Sequence, residues 1–326
     1  MLFDIEIVGE HGHVKARTNK KREVLSANEV DRGTRGNSDS QPTGSHSGFV
    51  PPLPIEDKRA EAVRAGFIHA FGGYRAHAWG DDEFKPRSGV GKASVWGGMG
   101  MMILDAMDTA MIMGLEEEYT ACVEWIRHKL DFSHVQKVSY FETTIRALGG
   151  LLSAYALSAE SEPVLLQKAE ELARMLAKAK SPTGSFPARY VTLSSGRPNQ
   201  PKTSLAEVGS STVELRYLSA VSGESEFSDF AHGILQRLVN ALQHNAMIGV
   251  NVDANSGKIS GHTTLGGASD SFYEYLVKSW VQGKRTEPQL LKTFLRAMSE
   301  AQQTLVHTGT GPKKLRSVGM HLCLTK

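Results

Sequence analysis

FETTIRALGGLLSAY, residues 141–155, is the stretch on which the reading of this chain turns. It follows an amphipathic helical pattern, and Glu142 falls close to the apolar face. A carboxylate there costs free energy unless it has a partner or a task. Arg146 stands four residues further on, so the two side chains share one helical face. Taken alone, the stretch leaves two readings open: a structural ion pair, or an acid held for chemistry.

Working outward, the pattern from Ile55 onward is helical and repetitive. Val63, Phe67 and Phe71 recur at spacing four. Leu165, Ala169, Leu172 and Leu176 form a second stripe, Phe227, Phe230, Ile234, Leu238 and Leu242 a third, and Leu291, Phe294 and Met298 a fourth. Each is the apolar stripe of a helix with one buried face. Breakers separate them at Ser181-Pro182-Thr183-Gly184, Gly196-Arg197-Pro198 and Ser222-Gly223. About nine helices are expected on this pattern. Those near 162–180, 225–244 and 286–307 carry well-charged outer faces. Those near 97–113, 139–159, 203–221 and 269–282 are richer in Gly, Ala, Ser and apolar residues. The alternation predicts an all-α, two-layer array in which inner helices are covered by outer ones. The exception is Met247–His262, where Ile248, Val250 and Val252 alternate ahead of Asn255-Ser256-Gly257, the pattern of one small inserted β-hairpin.

Composition narrows the function classes. The 326 residues are 40% hydrophobic and 22% charged, ordinary usage for a globular protein. A net charge of +2, without a basic run interleaved with aromatics, gives no reason to expect nucleic acid. Cys122 and Cys323 are the two cysteines, too few for a disulfide-stapled scaffold or a zinc site. No apolar run approaches the roughly 18–20 residues of a transmembrane helix, and no signal-peptide core is visible, so the chain as written reads as cytosolic. Residues 16–48 are polar, charged and poor in large apolar side chains. Residues 1–54 are therefore expected to be a disordered segment, with a short strand possible at Leu2–Val8. Pro51, Pro52 and Pro54 mark a stiff boundary to the helical part of the chain, 55–326.

The less charged helices hold the candidate residues. Glu207 sits in SLAEVGSSTVELRYLS (204–219), with Glu214 seven residues on and near the same face. Asp270 and Glu274 are four apart in TLGGASDSFYEYLVK (264–278), and Asp105 and Asp108 three apart in MMILDAMDTAMIMG (101–114). The plain readings are that Asp105 and Asp108 hold nearby backbone, that Asp82 and Glu83 cap or face solvent, and that Glu274 pairs with Lys278. Several carboxylates on inner helices of one array nevertheless suggest an acidic pocket suited to a sugar, a metal or both.

In order and spacing these stretches, together with AVRAGFIHAFGGYRAHAWGDDEFKP (62–86), ILDAMDTAMIMGLEEEY (103–119), FETTIRALGGLLSAYALS (141–158) and SGKISGHTTLGGASDSFYEYLVKSW (256–280), resemble the class I α-1,2-mannosidases of glycoside hydrolase family 47. The resemblance covers roughly 59–325 and implies an (αα)7 barrel, of which about four or five hairpins would be present. It implies hydrolysis of terminal α-1,2-linked mannose from high-mannose N-glycans with inversion, in the endoplasmic reticulum or Golgi. Residue by residue, Glu142 resembles the general acid and Asp270 the acid that acts as or assists the base. Arg146, Glu207 and Glu274 resemble residues of the sugar subsite.

The resemblance also implies a bound calcium ion whose protein ligands, like a further glutamate base and the partner of Cys323, would lie past residue 326. No metal ligand is therefore assigned within this chain. Calcium takes six to eight oxygens, so a site lacking them would bind it weakly. Ala268 replaces an arginine found in many relatives. Alternative expectations are a non-catalytic glycan-binding relative or an inactive truncated product.

Overall fold

The computed structural model describes residues 58–181, 183, 186–308 and 316–318. The chain divides into two units, Met1–Ser45 and His46–Lys326, and every described residue belongs to the second. The expected disordered segment, the strand at Leu2–Val8 and Cys323 lie outside the described residues.

The order opens with α1 (Lys58–His77), β1 (Glu83–Lys85), β2 (Val90–Lys92), α2 (Met101–Leu104), α3 (Met107–Ile112) and α4 (Glu116–Lys129). Next come β3 (Lys137–Ser139), α5 (Tyr140–Thr143), a π-type turn at Thr144–Leu148, α6 (Gly149–Leu157) and α7 (Pro163–Ala177). Strands β4 (Tyr190–Thr192), β5 (Arg197–Asn199) and β6 (Lys202–Ser204) lead into α8 (Leu205–Gly209), α9 (Thr212–Ser222) and α10 (Ser225–Ala241). The described order ends with β7 (Asn251–Asp253), β8 (Ile259–Ser260), α11 (Asp270–Gln282), α12 (Pro288–Thr304), β9 (Val306–Thr308) and β10 (Arg316–Val318).

Consecutive helices pack in pairs: α3 on α4, α6 on α7, α9 on α10 and α11 on α12. The first member of each pair also packs on the first member of the next, α3 on α6, α6 on α9 and α9 on α11. These make an inner layer, and the second members make an outer one. The outer helices follow from their sequence. Leu165, Ala169, Leu172 and Leu176 of α7 are buried along one stripe, and Pro163 and Pro288 start α7 and α12 where a missing N–H costs nothing. Helix α4 opens on Glu116, Glu117 and Glu118 and closes on Arg127, His128 and Lys129, charges that oppose its dipole. Cys122 is a buried free thiol beside Ile126, a small core residue whose pKa burial raises to about 12. The inner layer depends on small residues. A Cβ on Gly150 would sit 2.0 Å from the Leu104 carbonyl oxygen, so α6 approaches the end of α2 as only glycine permits.

Two expectations change. The inner helices are broken at 105–106 and 210–211, and a π-type turn at 144–148 widens the helix that runs on from α5 into α6. The apolar period continues across each break, so a periodicity reading fuses the pieces. The single hairpin at 247–262 is present as β7–β8, but it belongs to a three-stranded sheet, β6-β7-β8, and β3-β4-β5 form a second such sheet. Their strands are three residues or fewer, too short to display a period of two.

One buried carboxylate fixes the loop ahead of the inner layer. Asp82 is 1% exposed. Its Oδ2 accepts from the N–H groups of Trp96 and Gly98, each at 2.8 Å, and its Oδ1 from those of Met99 (3.0 Å) and Met101 (3.2 Å). The loop closes this tightly because Gly97, Gly98 and Gly100 all have positive φ, and a Cβ at Gly100 would meet the Trp125 ring at 2.4 Å. Asp82 thus caps the start of α2, as the capping reading expected. Asp82→Ala would strand four donors, two of them fully buried pairs, and is expected to lower unfolding stability by about 2–4 kcal/mol. Urea denaturation checks this; a wild-type midpoint would mean that other contacts hold the loop.

Candidate active site

Two strand-to-helix junctions present a glutamate in the same way. Strand β3 runs into α5, where Ser139 Oγ accepts the N–H of Glu142 at 3.2 Å. Strand β6 runs into α8, where Ser204 Oγ accepts the N–H of Glu207 at 3.3 Å. In both, serine is the cap and glutamate the third helical residue. A third element, α11, starts at Asp270, whose Oδ1 accepts the N–H of Ser271 at 2.9 Å.

These junctions surround one open cavity of about 680 Å³, lined by Glu142, Glu207, Asp270 and Glu274 along with Arg189, Lys202, Asn251 and Ala268. The size suits a small polar ligand of one or two rings. Four of the five sequence-expected site residues therefore share a wall. Arg146 does not line it. It lies beside Glu142, donating from Nε to Glu142 Oε2 at 2.8 Å and from Nη1 to Asp105 Oδ2 at 3.1 Å, with its guanidinium 5.6 Å from the Trp96 ring centre. The Glu142–Arg146 pair read from the sequence is thus present as one arm of a bridge. Asp105, expected only to hold backbone, is the other arm. Asp108 does hold backbone, accepting the N–H of Thr109 at 2.6 Å.

The carboxylates differ in how far they are engaged. Glu207 is fully used: Oε2 accepts from Ser204 N–H and Thr203 Oγ1, each at 2.9 Å, closing a capping box, and Oε1 meets Arg189 Nε at 3.0 Å. Glu274 pairs with Lys278 Nζ at 3.0 Å across one exposed helical turn, as expected. Arg189, Lys202 and Asn251 were not singled out from the sequence. Arg189 lies just ahead of β4 and Lys202 on the three-residue β6, where no period shows, and Asn251 is a polar position of the expected hairpin whose alternation points to no partner.

Glu214 parts company with Glu207. The chain breaks at Ser210–Ser211, and Glu214 lines a separate cavity of about 270 Å³ with Gly149, Leu152, Tyr217 and Gln282. The two are not on one face. Tyr275 Oη donates to Glu214 Oε1 at 2.7 Å, while the buried Oε2 has no hydrogen-bond partner. Burial pushes the Glu214 carboxyl above the ordinary carboxylate range, against the pull of the Tyr275 hydrogen bond.

Residues 66–323 match the description of Glycosyl hydrolase family 47. The chain belongs to this family. It is 36% identical over 275 residues to the endoplasmic reticulum mannosyl-oligosaccharide 1,2-alpha-mannosidase of Rattus norvegicus, covering 82% of this chain and 41% of that protein. It is 37% identical over 285 residues to the protein of the same name from Homo sapiens, covering 82% and 40%. Against mannosyl-oligosaccharide 1,2-alpha-mannosidase MNS1 of Arabidopsis thaliana it is 36% identical, covering 73% and 43%. Among solved structures, the alpha-1,2-mannosidase from Trichoderma reesei superposes with a TM-score of 0.74 at 26% identity, covering 84% of this chain and 60% of that one. The chain thus spans about two fifths of the length of these curated relatives.

In this family 47 chain the neutral form of Glu214 is the one the fold favours. Its contribution to stability is complete below the ordinary carboxylate range and declines as pH rises through the raised value. Glu214→Gln keeps the acceptor for Tyr275 and cannot ionise, so it is expected to shrink the fall in Tm between about pH 5 and pH 8. Thermal melts across that range check this; an unchanged slope would remove Glu214 as its source.

Proposed function

We propose that this protein hydrolyses terminal α-1,2-linked mannose from high-mannose N-glycans with inversion, with Glu142 and Asp270 as the catalytic pair. The observation that supports it is the cavity where Glu142, Glu207, Asp270 and Glu274 converge from three elements, in a chain whose relatives are named for this activity. On this reading Glu142 protonates the departing glycosidic oxygen. Asp270, on a different helix, helps a water lose its proton as the water oxygen bonds to the anomeric carbon from the opposite face. Glu207, held rigid by its capping box, and Glu274 contact sugar hydroxyls. Arg146 keeps the Glu142 side chain aimed at the cavity.

The four helix pairs are part of an (αα)7 barrel, and residues 55–326 are the N-terminal part of its catalytic domain. The substrate is a glycan on a glycoprotein in the endoplasmic reticulum or Golgi. No helix among the described residues is long and apolar enough to cross a membrane. Among the described residues no group of three or more His, Cys, Asp or Glu is placed to hold a metal ion, and calcium takes six to eight oxygens, so no calcium ligand is assigned to a residue of this chain. No step is therefore assigned to it here.

The test follows release of mannose from a high-mannose N-glycan by mass. The wild-type chain is expected to remove a hexose and Glu142→Gln to slow that by at least about a hundredfold. A glycan left intact by wild type would overturn the hydrolase reading, and an unaffected Glu142→Gln variant would remove Glu142 from the mechanism.

A further inference from the structure

The sheet beside the cavity has two unlike faces. Its register aligns Lys137 with Thr192 and Thr192 with Arg197, and likewise Ser139 with Tyr190 and Tyr190 with Asn199. With side chains alternating along each strand, these six share one face, and Val138 and Val191 are buried on the other. The outward face therefore carries two exposed cations, an aromatic ring and an exposed amide. An exposed charge on a sheet is commonly just solvated, so the arrangement matters more than the presence of charge.

Three features set this face apart. Lys137 Nζ stands 4.3 Å from the Tyr190 ring centre, and the Arg189 guanidinium 5.6 Å from the same ring. One ring thus holds two cations in place, which reduces the entropy a ligand must overcome. Second, among the described residues neither Lys137 nor Arg197 has a carboxylate within 4 Å. Third, one residue links the face to the cavity. Arg189 joins them, pairing with Glu207 on the cavity wall and resting by Tyr190 at the sheet, while the Arg189 carbonyl accepts the N–H of Tyr140 at the start of the Glu142 helix.

We propose that the outward face of β3-β4-β5 is an anion subsite of the glycan cavity, taking a phosphate ester carried on a neighbouring sugar of the bound mannose. This rests on the glycan reading for the occupant of the cavity; the anion site itself rests on the sheet. Arginine and lysine together suit a phosphate, the guanidinium offering paired donors and the ammonium a point charge. Thr192, in register with both, adds a donor between them. The ring faces already occupied by cations make a charged group, rather than a stacked sugar, the better match.

The test measures binding of the full chain to three probes: a high-mannose glycan, the same glycan bearing one phosphomonoester on an outer mannose, and inorganic phosphate. The phosphorylated glycan is expected to bind at least about tenfold tighter than the neutral one at low salt, with the advantage shrinking as salt rises. The double variant Lys137→Glu, Arg197→Glu should lose that advantage and keep neutral-glycan affinity; Lys137→Gln, Arg197→Gln, which alters the surface less, should lose most of it. Equal affinity for the two glycans, or an advantage that survives both variants, would overturn the proposal. So would inorganic phosphate binding as tightly as the phosphorylated glycan, which would make free phosphate the ligand. If neither glycan binds but inorganic phosphate does, and the variants abolish it, the glycan reading fails while the anion site stands.

Discussion

The loop that reaches the Glu142 side of the site depends on a carboxylate buried from solvent. Asp82 gathers four backbone N–H groups of the loop at 96–101. A buried charge is costly unless its oxygens are satisfied, and four donors satisfy them. The arrangement fixes the loop that presents Trp96, and Trp96 lies against Arg146, which bridges Glu142 and Asp105. A chain of contacts thus runs from one structural acid to one proposed catalytic acid. Arg146 divides its charge between two carboxylates. Glu142 and Asp105 are 31% and 43% exposed, so solvent screens each of these ion pairs and neither carries much of the fold's stability. Their value is in aiming a side chain.

The layer architecture was legible in the sequence because long helices advertise themselves. The α7, α10 and α12 stripes repeat at helical spacing over about three turns or more, and charge on the opposite face marks them as outer. Short elements do not advertise. Strands of three residues cannot show alternation, so β3-β4-β5 and the third strand of β6-β7-β8 were invisible. The breaks at 105–106 and 210–211 and the π-type turn at 144–148 were also invisible, since interrupting a helix without proline leaves its apolar period intact. They matter most near the site: the π-type turn contains Arg146, and the 210–211 break sends Glu207 and Glu214 to different cavities.

Site residues divide along the same line. Glu142 with Arg146, and Glu274 with Lys278, could be paired from spacing alone because a helix fixes what lies four residues away. Arg189 with Glu207 and Asp105 with Arg146 join residues 18 and 41 apart in the chain, and no local rule reaches that far. The resemblance of motifs picked out Glu207 as a sugar contact, and its position on the cavity wall is compatible with that. Its carboxylate is nonetheless already committed to a capping box and an arginine, so any sugar it meets must share those oxygens.

The repeated strand–serine–x–x–glutamate junction has a meaning beyond its hydrogen bonds. Ser139 to Glu142 and Ser204 to Glu207 are the same local unit used twice, each delivering one carboxylate to the same cavity from a sheet edge. The unit folds on its own cap, so its geometry does not depend on which acid chemistry the neighbouring copy performs. Such a scaffold behaves as a modular socket. One copy can change in sequence and reshape its part of the cavity wall, while the other keeps its carboxylate in place. A substitution beside one junction then alters the cavity wall without moving the backbone that carries the other.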